Sequence, residues 1–362
     1  MDKALKTRQV CLFFIIFLPV IKFFMMPSVV ATHSGRDMWI AVLLNILIDF
    51  LTVFTVIFTV KDENCDFFTL VKKRYGTAFY KAVTAFYAAF FLLKTFLCVN
   101  EQKDYVEYTL YMTDPNVLTF MPVFIIIFYL CLHKLRVWGR VADGIFIIAL
   151  FGYALLFALS IPNVDFNELL PIGKVGMNGV FGGIKASQNW FGDGAYFLFL
   201  VGNYKKSGKS TLKILLSFAA AGLIVLLFSV IFYGTFSSVA FRQRFALTEI
   251  SKYTSVINNI GRFDYIALFI LLLTAIFSLS LPFYFSVRLI AETIGVKRVN
   301  IVAAAVITCA AAFHLFLSEY FVTVERFVTG TAGWYFLFFG SVFPIVLSLT
   351  MIRRRKNETQ KV

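Results

Sequence analysis

Uninterrupted apolar runs of about 20 residues recur along the whole length of this chain, and each, as a helix, is long enough to cross a hydrocarbon layer of about 30 Å. With no water to satisfy a backbone inside that layer, runs of this length are expected to be helical. Composition agrees. The chain is 60% hydrophobic and 15% charged, with 45 phenylalanines, well above the roughly 45–50% apolar content of soluble domains. The fold class expected is therefore an all-α integral membrane protein of about ten transmembrane helices, multi-pass, with membrane lipid as its solvent.

The apolar runs place spans at about 10–31, 39–60, 78–99, 117–133, 141–160, 185–202, 212–233, 264–287, 299–317 and 334–352. Ten spans put both termini on one side. Lys and Arg concentrate in the segments that then face the cytoplasm: Lys3, Lys6 and Arg8; Lys72, Lys73, Arg74 and Lys81; Lys134, Arg136 and Arg140; Lys205, Lys206 and Lys209; Arg353, Arg354 and Arg355. That bias predicts cytoplasmic N- and C-termini. It also accounts for the net charge of +14 without nucleic acid, because the basic residues occupy short loops and not one continuous face. One transmembrane domain over 1–362 is expected, with a first repeat at about 10–160, a second at about 185–352 and a basic cytoplasmic tail at 353–362.

Several local signals are weaker than they look. The basic start followed by Ser28-Val29-Val30-Ala31 loosely resembles a cleavable signal, but the apolar run exceeds the usual 7–15 residues of a signal core and contains Pro19, Lys22 and Pro27. It reads as a retained first span. Cys11, Cys65, Cys98, Cys131 and Cys309 are scattered and lack ligand spacing, so neither a disulfide framework nor a metal site is expected. His33, His133 and His314 sit at span ends and read as interfacial polar residues. Gly208-Lys209-Ser210-Thr211 ends like a phosphate-binding loop, yet Asn203 stands where the first glycine belongs. No cofactor is implied. No nucleophile, base and orienter can be assembled either, so an enzyme is not expected.

Residues 61–81 place Phe67, Phe68, Leu70 and Val71 beside Lys72, Lys73 and Arg74, the pattern of a helix lying on an anionic inner surface. The longest opposite segments are 161–184 and 234–263. The second reads as a folded lid or a docking surface, or else as a solvated loop.

Two spans are built differently from the rest. Span 1 contains Pro19, Lys22 and Pro27, and each proline removes a backbone donor and clashes with the preceding turn. Span 6 is entered through Gly179, Gly182, Gly183, Gly192 and Gly194, each weakening a helix by about 1 kcal/mol relative to alanine. Both should be broken, around Val20, Ile21, Lys22 and Phe23 in one and around Asn189, Trp190, Phe191, Gly192, Asp193 and Gly194 in the other. Their separation is that of a five-plus-five inverted repeat, in which paired broken helices 1 and 6 mark a midplane binding site. The alternative is that the prolines and glycines only kink packed helices. Trp190, Phe191 and Tyr196 are expected to wall the pocket, with Asp193 as its main polar contact, although bilayer-facing aromatics would give the same pattern. Lys22 and Asp49 both fall near the bilayer midplane, where a lipid-facing charge costs at least about 2.5–3.5 kcal/mol. They are expected to form an intramembrane pair, with Asn45 one turn away to complete it.

Thr7-Arg8-Gln9, Met26-Pro27-Ser28, Trp39-Ile40, Pro162-Asn163-Val164-Asp165, Leu169-Leu170-Pro171, Phe191-Gly192-Asp193 and Gly261-Arg262-Phe263-Asp264 follow one another along nearly the whole chain. In these motifs and their order the chain resembles the B subunit of the spore germination nutrient receptors, a family of the amino acid-polyamine-organocation (APC) transporter superfamily with the LeuT-like fold. The resemblance implies a germinant receptor subunit in the spore inner membrane, partnered by an A subunit and a lipoprotein C subunit, that senses a small-molecule nutrient such as an amino acid. Two departures stand out. Val20-Ile21-Lys22 replaces the small Gly-Thr-Ser-like run usual in the family, and Asp193 stands where glutamate is common. A built-in cation at Lys22 could thus take the place of a coupling ion. A secondary amino acid transporter coupled to protons or cations, and an assembly protein with a vestigial pocket, are the competing readings.

Overall fold

A computed structural model of the chain describes residues 5–61, 63, 65–111, 121–206, 208–252, 264–317 and 320–359. Residues 117–120 of the expected fourth span, 253–263 of the long segment at 234–263 (with Gly261, Arg262 and Phe263), Lys3 and the tail residues 360–362 lie outside them. In chain order, a short strand β1 (Leu5–Lys6) leads into α1 (Thr7–Ile21), α2 (Met26–Ser34), α3 (Met38–Val60), α4 (Phe67–Tyr75), α5 (Thr77–Val106), α6 (Met121–Cys131), α7 (Leu135–Ser160), α8 (Gly176–Ala186) and α9 (Gly194–Leu200). A second short strand, β2 (Tyr204–Lys205), precedes α10 (Ser210–Phe236), α11 (Ala246–Lys252), α12 (Asp264–Ile294), α13 (Val299–Leu317), α14 (Phe321–Gly330), α15 (Gly333–Leu337) and α16 (Phe343–Thr359). Among the described residues seven helical stretches are long and apolar enough to cross a membrane. The protein is thus an all-α integral membrane protein that passes the bilayer several times.

The apolar core gathers around α1, which packs against α10, α7 and α12, while α12 packs in turn along α5. Strands β1 and β2 pair in parallel, Leu5 opposite Tyr204 and Lys6 opposite Lys205, so the chain's start is tied to the segment that follows α9. The run expected as a retained span is buried along most of its length.

Span 1 is broken, two residues later than expected. Val20 and Ile21 still belong to α1, and residues 22–25 form the break before Pro27 opens α2. Several of the backbone groups at the break have identifiable partners. Pro19 has no N–H for Ile15, and the Tyr153 hydroxyl donates instead to the carbonyls of Ile15 (3.3 Å) and Ile16 (3.2 Å). The carbonyls of Phe23 and Phe24 accept from the N–H groups of Leu247 (3.0 Å) and Ala246 (2.9 Å) at the start of α11. The described part of the 234–263 segment is therefore folded and inserted against the break, not a solvated loop.

Span 6 is broken over 187–193, between α8 and α9. Gly192 holds φ at +79°, the left-handed region open to glycine. The halves of the two broken spans lie beside one another: α2 packs on α8, and α1 meets α9 through Phe14–Phe197 and Phe17–Tyr196, with ring centroids 5.6 and 4.7 Å apart.

Two smaller expectations are corrected. Helix α4 buries Phe67, Phe68, Leu70 and Val71 against α5, α3 and α9, so its apolar face meets protein and not the membrane surface. Its N-terminus is capped by Asp66, which accepts from the Thr69 N–H at 3.0 Å. His314 is buried, not interfacial, and bonds Asn100 Oδ1 at 3.0 Å.

The turn between α2 and α3 carries a fully buried Asp37, whose two oxygens accept the N–H groups of Gly173 (2.8 Å) and Val175 (2.9 Å) and pin the 161–175 segment. Hydrogen bonds to a charged acceptor contribute about 1.5–3 kcal/mol each. Asp37→Ala should lower stability by about 2–4 kcal/mol and open the 161–175 segment to limited proteolysis of the purified protein. Wild-type protease resistance would show that this tie does not hold the segment.

Candidate functional site

The two breaks meet at a cluster of four buried charges: Lys22 from the first, Asp193 from the second, Asp49 from α3 and Lys94 from α5. Lys22 Nζ forms an ion pair with Asp193 Oδ2 and donates to the Leu18 carbonyl at 2.9 Å. Lys94 Nζ lies 3.3 Å from the other oxygen of Asp193 and also donates to the Phe191 carbonyl. Asp193 is thus shared between two ammonium groups. Each of these also sits over an aromatic face, Lys22 at 5.1 Å from the Phe191 ring centre and Lys94 at 5.0 Å from that of Tyr196.

The expected Lys22–Asp49 pair is therefore corrected: the ion pair of Lys22 is with Asp193. Asp49 has other work. Its Oδ2 accepts the N–H groups of Gly192 (3.0 Å) and Asp193 (3.1 Å), which open α9, and its Oδ1 accepts the Ser341 hydroxyl at 3.0 Å. A carboxylate at a helix start satisfies donors that have no partner within the helix. Asn45 likewise serves span 6 and not Lys22, donating to Ser187 Oγ at 2.8 Å and accepting from Gln188 Nε2 at 2.6 Å. Lys22 and Asp49 nonetheless line one cavity, together with Leu18, Phe191, Asp193, Phe218 and Val225. Its free room is about 10 Å³, about that of one water molecule.

Every residue singled out at the breaks is buried: Val20, Ile21, Lys22, Phe23, Asn189, Trp190, Phe191, Gly192, Asp193 and Tyr196. The aromatics thus face the protein interior and not lipid. Val20 and Ile21 lie within α1, and Phe23 stacks on Phe228 with ring centres 4.1 Å apart, away from the charge cluster's ion pairs. Two residues of α5 are missing from the sequence-based set. Lys94 completes the cluster, and Glu101 accepts the Met25 N–H (2.9 Å) and the Trp190 Nε1–H (2.7 Å), joining the two breaks directly. Their spacing of seven residues puts both on one helix face. An intramembrane lysine was a usable signal. Glu101 was hidden because the apolar run ends near residue 99, whereas the helical stretch continues to Thr109.

Gly192 is held in place by packing as well as by its φ. A Cβ there would come within 3.1 Å of the Gly340 Cα, so the second break is backed by a close backbone contact with the π-helical turn at Phe338–Val342.

A sequence model of the spore permease family, described as spore germination protein, matches residues 4–322. The matched region includes both breaks and all four charges of the cluster. No curated protein matches the chain.

The four charges sum to zero, so removing one leaves a net charge in a buried site, at a cost of about 3–5 kcal/mol. Asp193→Asn, which leaves two ammonium groups facing one carboxylate, should lower the melting temperature and folded yield more than Lys22→Met. The double variant, neutral again, should be more stable than Asp193→Asn alone. Additive losses in the double variant would rule out charge balance as the organising feature.

Proposed function

This chain belongs to the spore germination protein family, and we propose that within it the protein is a germinant receptor subunit that senses a small zwitterionic nutrient, such as an amino acid, at the meeting point of its two broken spans. The observation that carries this reading is the neutral cluster of Lys22, Lys94, Asp49 and Asp193 between two helix breaks. A zwitterion can enter such a cluster by exchange. Its ammonium takes Asp193 from Lys22, its carboxylate takes the released ammonium group, and the site stays neutral throughout. A singly charged ligand would leave an unbalanced charge in a low-dielectric interior.

On this reading the free room of about 10 Å³ belongs to a closed state. Ligand binding then selects a more open arrangement in which the Lys22–Asp193 contact parts. The pocket wall is formed by Leu18, Phe191, Phe218 and Val225, with Tyr196 beneath Lys94 and Asn189, Trp190 and Gly192 setting the shape of the second break. The described helices accommodate a ten-span count if α1 with α2, and α8 with α9, are each taken as one interrupted crossing. That count suits a five-plus-five inverted repeat of the LeuT-like kind. The same reading places both termini in the cytoplasm, the chain in the spore inner membrane, and an A subunit and a lipoprotein C subunit beside it. It treats the protein as a permease-like binder and not an enzyme.

Spores lacking this chain, tested over a nutrient panel, should lose their response to at least one amino acid. Complementation with Val225→Phe, which fills the cavity without touching a charge, should raise the half-maximal germinant concentration at least about tenfold, or about 1.4 kcal/mol, at unchanged chain level. An unaltered response across the panel in the deletion strain would defeat the proposal. Accumulation of a labelled amino acid by proteoliposomes containing only this chain would instead favour a cation-coupled transporter.

A further inference from the structure

A second cavity lies on the other side of the breaks. Met25 contributes from the first break and Asn189 and Trp190 from the second, and it is closed by Glu101 of α5 and by Phe321 and Glu325 of α14. We propose that this cavity is a binding site for one small cationic group, a primary ammonium or a monovalent metal ion, held by Glu101, Asn189 and Glu325. It goes beyond the zwitterion site, with which it shares no charged residue.

The polar side chains that converge on it present acceptors. Glu101 is fully buried, and among the described residues no Lys, Arg or His lies within ion-pair distance of it; its oxygens accept only the Met25 N–H and the Trp190 Nε1–H. Each carboxylate oxygen offers two lone-pair positions, so both have capacity left. Asn189, 6% exposed, lines this cavity, and its Oδ1 has no hydrogen-bond partner among the described residues. A buried acceptor left without a donor costs about 1–3 kcal/mol, which a donor-bearing occupant removes. Glu325 makes a long ion pair, 3.8 Å, with the half-exposed Arg244. Burial raises the Glu325 carboxyl above the usual range, with Arg244 opposing the rise.

Size and charge select the occupant. The free room is about 10 Å³, enough for one water-sized group and no more. An anion is excluded by the two carboxylates. A divalent ion such as Ca²⁺ takes six to eight oxygens, more than these three side chains can offer. A single ammonium or monovalent ion supplies the positive charge that Glu101 lacks and the donor that Asn189 Oδ1 lacks. Because Glu101 also holds the Met25 and Trp190 donors, an occupant here strengthens the joint between the two breaks.

The test uses the purified full-length chain in detergent, with thermal unfolding followed in ethylammonium, sodium or potassium chloride against N-methylglucamine chloride at equal ionic strength. The favoured cation should raise the melting temperature by about 2 °C or more. Ethylammonium alone doing so identifies an organic ammonium; sodium or potassium doing so identifies a metal ion. Glu101→Gln loses the charge but also disturbs the breaks, so Glu325→Gln and Asn189→Leu are the informative variants, and both should lose the shift. Asn189→Asp, which adds a carboxylate at the orphan acceptor, should lower the half-maximal cation concentration several-fold. Absence of a shift with all three cations, or a shift unchanged in all of these variants, would overturn the proposal.

Discussion

A backbone group released inside a bilayer has no water to turn to, and much of this structure can be traced to that constraint. Two helices are interrupted in the buried interior of the bundle, and each interruption frees N–H and C=O groups whose burial without partners would cost several kcal/mol apiece. The fold answers with side chains and a short helix brought in from elsewhere. Tyr153 of α7 serves the carbonyls below Pro19, α11 serves those of Phe23 and Phe24, Glu101 of α5 takes the Met25 N–H, and Asp49 of α3 takes the N–H groups of Gly192 and Asp193. None of these partners is local in sequence.

The charges at the breaks follow from the same need. Asp49 is required to cap α9, and a buried carboxylate requires positive charge nearby. Lys22 and Lys94 provide it, and Asp193, held by both, returns the cluster to neutrality. Around it the phenylalanines interdigitate with few voids, Phe14 meeting Phe197 and Phe218, and Phe91 stacking on Tyr196.

The legibility of the site from sequence was uneven for physical reasons. Prolines and glycines act on the backbone where they stand, so Pro19, Pro27 and Gly192 marked both interruptions, to within a few residues. An ionisable residue in an apolar run must find a partner, so Lys22 and Asp49 were recognisable as members of a buried polar site. The partner's identity was not. Helical periodicity tells which face a side chain occupies and not which neighbour fills the space opposite. Asp49 reached the backbone of span 6, and Lys22 reached Asp193, 171 residues away in the chain. The same limit hid α4, whose apolar stripe suits a membrane surface or a helix neighbour equally well.

What the sequence determined by itself was therefore the solvent, the helical class, the existence of two weak spans and the residue types that would gather there. Each of these depends on local chemistry: hydrophobicity over about 20 residues, a missing amide hydrogen, an absent Cβ. What only the tertiary structure decided was the pairing of the charges, the role of Lys94 and Glu101, and the presence of two small cavities at the breaks. These depend on which helix faces meet across long sequence separations. In a chain so uniformly apolar, many helix faces are equally able to pack, and the few polar groups that must be satisfied select among them.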